Sequence, residues 1–517
     1  MPCASSAVYN CPAMAFNPAP FERNDGGAAR ESGRSDPRDP LGLAADAPLL
    51  HAYLAALDRR AAGEHAFTTP GHKGSTALTG VVVTGDVPAS GGLDTVKFTY
   101  GWLADAEHRA AELFGADVCR FSVAGSTHGN QAFALAIGKP GDKVIVSRTL
   151  HRSLLLGLVL AGLTPVWVWP DVDATTGLPT GVPPARVSAA LSQHPDAVAV
   201  FLVEPSYVGT FSDLHEHARI AHEAGMALVV DAAWAAHFGF HPDLPAHALG
   251  AGADAMVTSA HKALPAYSQA ALVLARTDRI DATRFVRAFE ATHTTSPSGA
   301  IVASIDAARA LLEHHGERLI GRMLETVAGA RARLRQVEGL QVLGGPGVDP
   351  AKLAVALAGT GAHGVEVEAD LIAAGMPVEM ADRDTLVALV TVADEPGAIV
   401  RFTDVLISSI ERRRGASRTL ATAASWVVQP QMVVPPREAF FGVSETVPIA
   451  DAAGRVSAEL VAPYPPGVPV LAPGELVTAR ALAALAEARG DGVRIAYAAD
   501  PQLATLEVLV DGRLAYG

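Results

Sequence analysis

The sequence predicts an α/β fold: a mainly parallel sheet covered by helices, followed by a smaller α+β C-terminal region. From about Leu103 to Arg276, short Val-rich apolar runs alternate with stretches of helical periodicity. Strands that read as continuous apolar runs, separated by helices, belong to parallel sheets covered on both faces. From about Ser298 the pattern turns helical and then α+β. The length of 517 residues leaves room for roughly two to three domains.

Residues 1–45 are rich in Pro, Gly, Ala, Ser, Asp and Arg and lack apolar periodicity, which predicts a disordered or flexible segment. Residues 46–100 read as an N-terminal arm, with an amphipathic helix from Pro48 to Arg60 and the loop F-T-T-P-G-H-K-G-S at Phe67–Ser75. Residues 101–297 form the large domain. It has helices at Ala106–Phe114 and Gly129–Ile137. Its strands are expected at Val118–Val123, Val144–Ser147, Val166–Trp169, Val198–Val203, Leu228–Asp231 and Ala255–Ser259. Residues 298–413 read as a small α+β domain opening on two helices, Ile301–His314 and Gly321–Val337. Residues 414–517 form a further segment with the Pro-rich run Y-P-P-G-V-P-V-L-A-P-G-E.

A formal net charge of −14 argues against nucleic acid or an anionic membrane as the main partner, since phosphate backbones require basic patches. Cys3, Cys11 and Cys119 provide neither a disulfide framework nor a metal-ligand cluster, which fits a reducing cytoplasm and no metal. No basic stretch followed by an apolar run marks a secretory signal. The most apolar stretch, Leu154–Trp169, is broken by Gly157, Gly162 and Pro165. It predicts helix, turn and buried strand instead of a membrane span.

Four motifs fall at predicted strand ends, where open α/β sheets bind ligands. The chain holds six lysines, Lys73, Lys97, Lys139, Lys143, Lys262 and Lys352. One follows a strand in S-A-H-K, Ser259–Lys262, and a lysine amine can attach covalently to an aldehyde where arginine cannot. Upstream, V-V-D-A-A-W delivers Asp231 at a strand end, the place for a carboxylate beside a pyridine nitrogen. A-G-S-T-H-G-N, Ala124–Asn130, joins a strand to a helix with the small and hydroxylated residues that cradle a phosphate. T-L-H-R-S, Thr149–Ser153, offers His151 as a ring-stacking group. Taken singly, each has an ordinary structural use, such as a cap, a turn or a surface side chain. The ordered set is far more specific than its parts.

With these residues in view, the sequence resembles the Orn/Lys/Arg decarboxylases, pyridoxal-5′-phosphate (PLP) enzymes of fold type I, the aspartate-aminotransferase-like fold. The likeness covers most of the chain after about residue 48. It lies in T-P-G-H-K-G at Thr69–Gly74, G-S-T-H-G-N at Gly125–Asn130, D-A-A-W-A-A-H-F-G-F-H at Asp231–His241, S-A-H-K-A-L-P-A-Y-S-Q at Ser259–Gln269 and G-R-V-S-A-E-L-V-A-P-Y-P-P-G-V-P at Gly454–Pro469. The resemblance implies that Lys262 carries PLP, and that His261 lies beside the phosphate or the imine and assists proton transfer. It implies that Asp231 pairs with the ring nitrogen, His151 stacks on the ring and Trp234 packs nearby, while Gly125, Ser126, Thr127 and Ser259 bind the phosphate. The chain departs from many members in having Ala232 after the strand-end Asp and Pro265 after the lysine. Its N-terminal segment is too brief for the wing domain of long members and predicts a short form.

The resemblance implies α-decarboxylation of arginine, lysine or ornithine. Another PLP reaction, such as transamination or elimination, and a non-catalytic PLP-binding homologue are the alternatives, because a fold does not fix which bond breaks. A carboxylate is needed for the substrate's distal positive charge. Glu445, Glu459 and Glu475 are candidates, with a solvated surface charge as the rival use of each. His72 and Lys73 read as an active-site edge completed by a second subunit, with a tight turn as the rival. Fold type I enzymes usually complete their sites across a two-fold interface, so a homodimer or higher homo-oligomer is predicted. Two variants inactive alone, Lys262→Ala and His72→Ala, are expected to recover activity when mixed, in a species that mass measurement identifies as at least a dimer. A fully active monomer would rule the shared site out.

Overall fold

The computed structural model describes residues 36–65, 67–87, 93, 101–418, 428–464 and 467–510. The chain divides into Met1–Gly42 and Leu43–Gly517. The first 35 residues of the segment predicted as flexible lie outside the described residues. Within the first unit Arg38 pairs with Asp36 at 2.7 Å. The second unit opens on a 3-10 turn at Leu43–Ala45.

Helix α1 (Pro48–Ala61) buries Leu49, Ala52 and Ala56 along one face and starts on a proline, whose missing N–H costs nothing at that position. A single turn, α2 (Thr76–Thr79), follows the T-P-G-H-K-G loop. The large domain then runs α3 (Trp102–Phe114), β1 (Val118–Ser122), α4 (Gly125–Ile137), β2 (Lys143–Ser147), α5 (Arg152–Ala161), β3 (Thr164–Val168), α6 (Pro184–Gln193), β4 (Ala197–Val203), α7 (Leu214–Glu223), β5 (Ala227–Asp231), β6 (Ala255–Thr258), a short helix α8 (Ala260–Ala263) and β7 (Ala271–Ala275). The strands form one seven-stranded sheet in the order β1-β7-β6-β5-β4-β2-β3. Strands β2 to β6 pair in parallel, and β7 runs antiparallel to both β1 and β6. Every strand predicted from the sequence is present within two residues of its expected ends. The apolar run Leu154–Trp169 resolves into α5, a left-handed Gly162 and β3. No helix among the described residues is long and apolar enough to cross a membrane.

Strand β7 was not foreseen. It returns from β6 through a connection that includes only a four-residue helix, so no long crossover helix announces it. Lys262 follows a strand as expected: β6 stops at Thr258, and the lysine sits on the short α8 that comes after it. After α9 (Ala282–Thr292), the two predicted helices prove to be one, α10 (Gly299–Leu334), 36 residues long. The glycines at the expected gap are packing positions. A methyl at Gly321 would stand 3.0 Å from His241 Nε2, and one at Gly316 would touch Phe240 and Leu312. Each glycine costs a helix interior only about 1 kcal/mol, which tertiary burial readily overrides.

The small domain is an antiparallel sheet, β10-β11-β9-β8, built from β8 (Gln341–Val342), β9 (Leu353–Ala356), β10 (Met380–Ala381) and β11 (Thr385–Ala388). Helices α11 (Gly364–Ala373) and α12 (Pro396–Arg412) accompany it. The C-terminal segment holds α13 (Pro436–Phe441), β12 (Ser444–Pro448), β13 (Ala462–Tyr464), α14 (Ala479–Gly490), β14 (Arg494–Ala496) and β15 (Thr505–Leu509), around a core that includes Val461, Leu471, Leu485 and Val508.

Two arginines fasten this segment to the large sheet. Arg437 Nη1 donates to the carbonyls of Val159 and Leu160 at the end of α5, at 3.2 and 2.9 Å, where the helix carries partial negative charge. Arg148 follows β2 and grips Glu475 with both arms, at 2.5 and 2.9 Å, with both side chains fully buried. Its guanidinium carbon stands 4.6 and 5.1 Å from the ring centroids of Trp167 and Trp169. Removing one partner of such a pair leaves an uncompensated buried charge. Glu475→Ala is therefore expected to lower stability by about 3–5 kcal/mol in chemical denaturation, whereas the double change Arg148→Met with Glu475→Leu costs much less. Equal losses for the single and the double variant would deny the pair this role.

Candidate active site

The parallel strands converge their carboxyl ends on one edge of the sheet, and the chemistry-bearing residues follow them. At one side Gly125 opens α4 with φ +70°, a conformation that favours glycine, and its N–H donates to Gln269 O at 2.8 Å. The hydroxyls of Ser126 and Ser259, both buried, meet at 2.6 Å, and Thr127 lies exposed in the same first helical turn. Helix α4 reaches this position because Gly129 carries no side chain. A methyl there would lie 2.7 Å from Val257 and 2.8 Å from Val273 on the sheet below. Two hydroxyls converging at the amino end of a thirteen-residue helix have the chemistry that an anion cradle requires.

Asp231 ends β5, a strand buried at all five positions. Its Oδ2 accepts from Asn130 Nδ2 at 2.6 Å, and its Oδ1 accepts from the Ala233 N–H at 3.1 Å. Asn130 Nδ2 also donates to Ser153 Oγ at 2.9 Å. Ser153 in turn fixes His151: its backbone N–H donates to His151 Nδ1 at 3.2 Å, and its Oγ lies 2.9 Å from the same atom. Since Nδ1 accepts, the neutral imidazole carries its proton on Nε2. Partial desolvation holds this imidazole below its ordinary value, with Asp231 pulling up and Lys262 and Arg152 pushing down.

The Lys262 amine rests 4.0 Å from the Trp234 ring centroid. Burial lowers its affinity for a proton, while Asp231 and Glu379 oppose that shift. The neutral amine that can attach to an aldehyde is correspondingly favoured. His261 Nδ1 donates to the Ala270 carbonyl at 2.9 Å, which leaves the lone pair of the neutral ring on Nε2. Burial also lowers this histidine.

Sequence reasoning missed three groups beside these. Lys352 is 4% exposed, and its amine stands 3.8 Å from the same Trp234 ring. Tyr207 meets Trp234 edge-on at 5.2 Å, and its hydroxyl donates to Glu379 Oε1 at 2.9 Å. Glu379 is exposed and acts electrostatically on both lysine amines. Asn130 was quoted within its motif without a role. For Lys352 a signal existed: it is a rare lysine at the head of the apolar run L-A-V-A.

The residues expected to meet the substrate each have partners within the described chain. Glu475 is neither a free carboxylate nor a surface charge, because Arg148 and the Ala472 N–H occupy it. Glu459 accepts from the backbone N–H groups of Ala499 and Glu507 at 2.5 and 2.7 Å, inside the C-terminal segment. Glu445 pairs with Arg455 at 2.6 Å. In the arm, His72 Nε2 lies 3.1 Å from Asp86 Oδ2 while its Nδ1 accepts from the Gly74 N–H, and Lys73 donates to the Thr68 carbonyl.

These groups fit PLP on their own chemistry: an anion cradle from two loops, a buried carboxylate fixed by two donors, and a half-buried amine beside an aromatic face. The comparisons agree. The family profile described as Orn/Lys/Arg decarboxylase, major domain, matches residues 48–378, and the profile of that family's C-terminal domain matches residues 419–487. An arginine decarboxylase of Halalkalibacterium halodurans is 30% identical over 465 residues, covering 86% of this chain and 94% of its own. A solved lysine decarboxylase from Francisella novicida shares the fold with TM-score 0.75 at 19% identity, covering 90% of this chain and 81% of that one. A serine palmitoyltransferase of Sphingomonas wittichii shares it with TM-score 0.54 at 16% identity, and an SPT variant solved with PLP with TM-score 0.53 at 17% identity, each over 72% of this chain and 85% of that one.

Two amines flank one indole, so the identity of the attachment point is a question the geometry itself poses. Borohydride trapping of the PLP-loaded protein, followed by peptide mapping, is expected to modify Lys262 and leave Lys352 free. Label on Lys352 would reverse the assignment.

Proposed function

The chain belongs to the Orn/Lys/Arg decarboxylase family of PLP-dependent decarboxylases, and from that premise we propose that it removes the α-carboxylate of a basic amino acid, arginine before lysine or ornithine, with Lys262 as the cofactor-bearing lysine. The observation that carries the substrate class is Glu379. It presents an exposed carboxylate beside the two site lysines, its Oε1 held by the Tyr207 hydroxyl, and a carboxylate is what a guanidinium or ammonium at the far end of a substrate requires. Arginine comes first because the curated relative described above bears that name.

PLP, when bound, supplies the ring that takes up the electron pair left as CO2 departs. The chain supplies orientation and charge. In this reading Gly125, Ser126, Thr127 and Ser259 hold the phosphate, Asp231 keeps a proton on the ring nitrogen, and His151 and Trp234 flank the ring. His261, its Nδ1 committed to Ala270, moves a proton at Nε2.

The protein is also proposed to act as a homodimer or larger homo-oligomer. Beside the T-P-G-H-K-G loop, Phe67, Leu78, Val81 and Val82 are 79–91% exposed, a concentration of apolar surface that a second copy would cover.

Amine and CO2 release measured over arginine, lysine and ornithine tests the activity, and a keto acid in place of CO2 would overturn it. In the same assay Glu379→Gln is expected to raise KM for the preferred substrate by about tenfold or more, the loss of one charge-assisted contact. An unchanged KM would remove Glu379 from the substrate.

A further inference from the structure

Lys352 is the least expected group in the site. It is 96% buried, and its amine has no hydrogen-bond partner. Its near neighbours are ring faces, Trp234 at 3.8 Å and Tyr207 at 5.7 Å. A π face attracts a cation but accepts poorly from three N–H donors, so the amine is left substantially unsatisfied.

The surrounding structure nevertheless holds it in place. Arg331, on α10, donates to the Asp349 carbonyl at 2.9 Å and to the Lys352 carbonyl, closing the turn that carries the lysine. Gly209 has φ +93°, and a methyl there would stand 2.8 Å from Lys352 Cβ and Cγ. The glycine therefore makes the channel for the lysine stem. Asp349 does not hydrogen-bond to the amine: its Oδ1 accepts from the Ala351 N–H at 2.9 Å and faces His237 at 3.6 Å. The unsatisfied donors thus stand on the indole that also supports the Lys262 amine.

We propose that Lys352 is the anchor for the substrate's α-carboxylate. The inference rests on the decarboxylase reading above and deepens it. In that reading the cofactor phosphate belongs to the serine cradle, the ring nitrogen to Asp231 and the distal cation to Glu379. The α-carboxylate is then the anionic group of the substrate that lacks a partner, and Lys352 is the buried cation that lacks one. Burial lowers the amine to about 8, against the pull of Asp349 and Glu379 and with the push of Lys262, so it remains mainly charged at neutral pH.

The consequence for catalysis is specific. With PLP bound, breaking the Cα–carboxyl bond would leave the electron pair to the ring, release the carboxylate as neutral CO2, and let a proton carried by His261 or water take its place on Cα. A contact to the anionic carboxylate is therefore strongest before reaction and fades through it. Its loss therefore raises KM and leaves kcat unchanged or higher, and kcat/KM falls only by the part of the contact that survives into the transition state. Once CO2 has gone, the ammonium faces an amine product and favours release.

The test uses PLP-loaded wild type and Lys352→Met, with arginine and its decarboxylated amine, agmatine. Lys352→Met is expected to raise KM for arginine by about tenfold or more, with kcat unchanged or higher. Agmatine, which has no carboxylate, is expected to bind the variant as tightly or more tightly. The melting temperature should hold or rise, because an unpaired buried amine has been removed, which a merely structural lysine would not allow. Lys352→Gln should show the same split and serves if the Met variant does not fold. Equal weakening toward arginine and agmatine, or a fall in kcat at constant KM, would overturn the proposal. Weakened PLP affinity with a shifted cofactor absorbance would instead assign the amine to a cofactor oxygen and also overturn it. If wild type releases no CO2 from any basic amino acid, the decarboxylase reading fails on its own. The anchor is then judged by binding alone, and fails too if the variant holds arginine and agmatine as wild type does.

Discussion

A carboxylate at the end of a strand buried along its whole length has to be solvated by the protein itself. Asp231 is 4% exposed, and its oxygens are met by the amide of Asn130 and the backbone of Ala233. Much of the site follows from that need. Asn130 reaches Asp231 only if α4 lies directly on the sheet, and α4 lies there because Gly129 carries no side chain above Val257 and Val273. Placing α4 places its first turn, and with it the meeting of Ser126 and Ser259. The same amide continues through Ser153 to His151 and fixes which ring nitrogen bears the proton. One buried carboxylate thereby places the paired serine hydroxyls and the histidine together.

The Arg148–Glu475 pair shows the same economy at another scale. A guanidinium placed near two tryptophans would be a liability on its own, and Glu475 arrives from the C-terminal segment to neutralise it. The segment's docking is thus written into the large sheet, at a residue three positions before His151.

The large domain was legible because its signals are local. Apolar runs mark buried strands, and S-A-H-K, V-V-D and G-S-T-H-G-N each sit within a few residues of a strand end. What could not be read depends on distant partners. Glu475 looks like any acidic residue until Arg148, 327 positions away, is placed against it. Gly316 and Gly321 stand at an expected gap between helices until Phe240 and His241 fill the space beside them. Glu379 and Tyr207 come from different domains and acquire meaning only as a pair. Lys352 is the instructive exception. It is as scarce an amine as Lys262 and heads an apolar run, but it has no strand-end motif beside it.

The small sheet offers one more consequence. Lys352 immediately precedes β9 and Glu379 immediately precedes β10, two strands that flank β11. The two groups assigned to opposite ends of the substrate are thus mounted on one rigid plate, which Arg331 fastens to the long helix α10. Flexing of the small domain against the large one would carry both together and leave the gap between them fixed. On those two proposed assignments the small sheet would set the span from the substrate's carboxylate to its distal cation, while the large sheet carries Lys262.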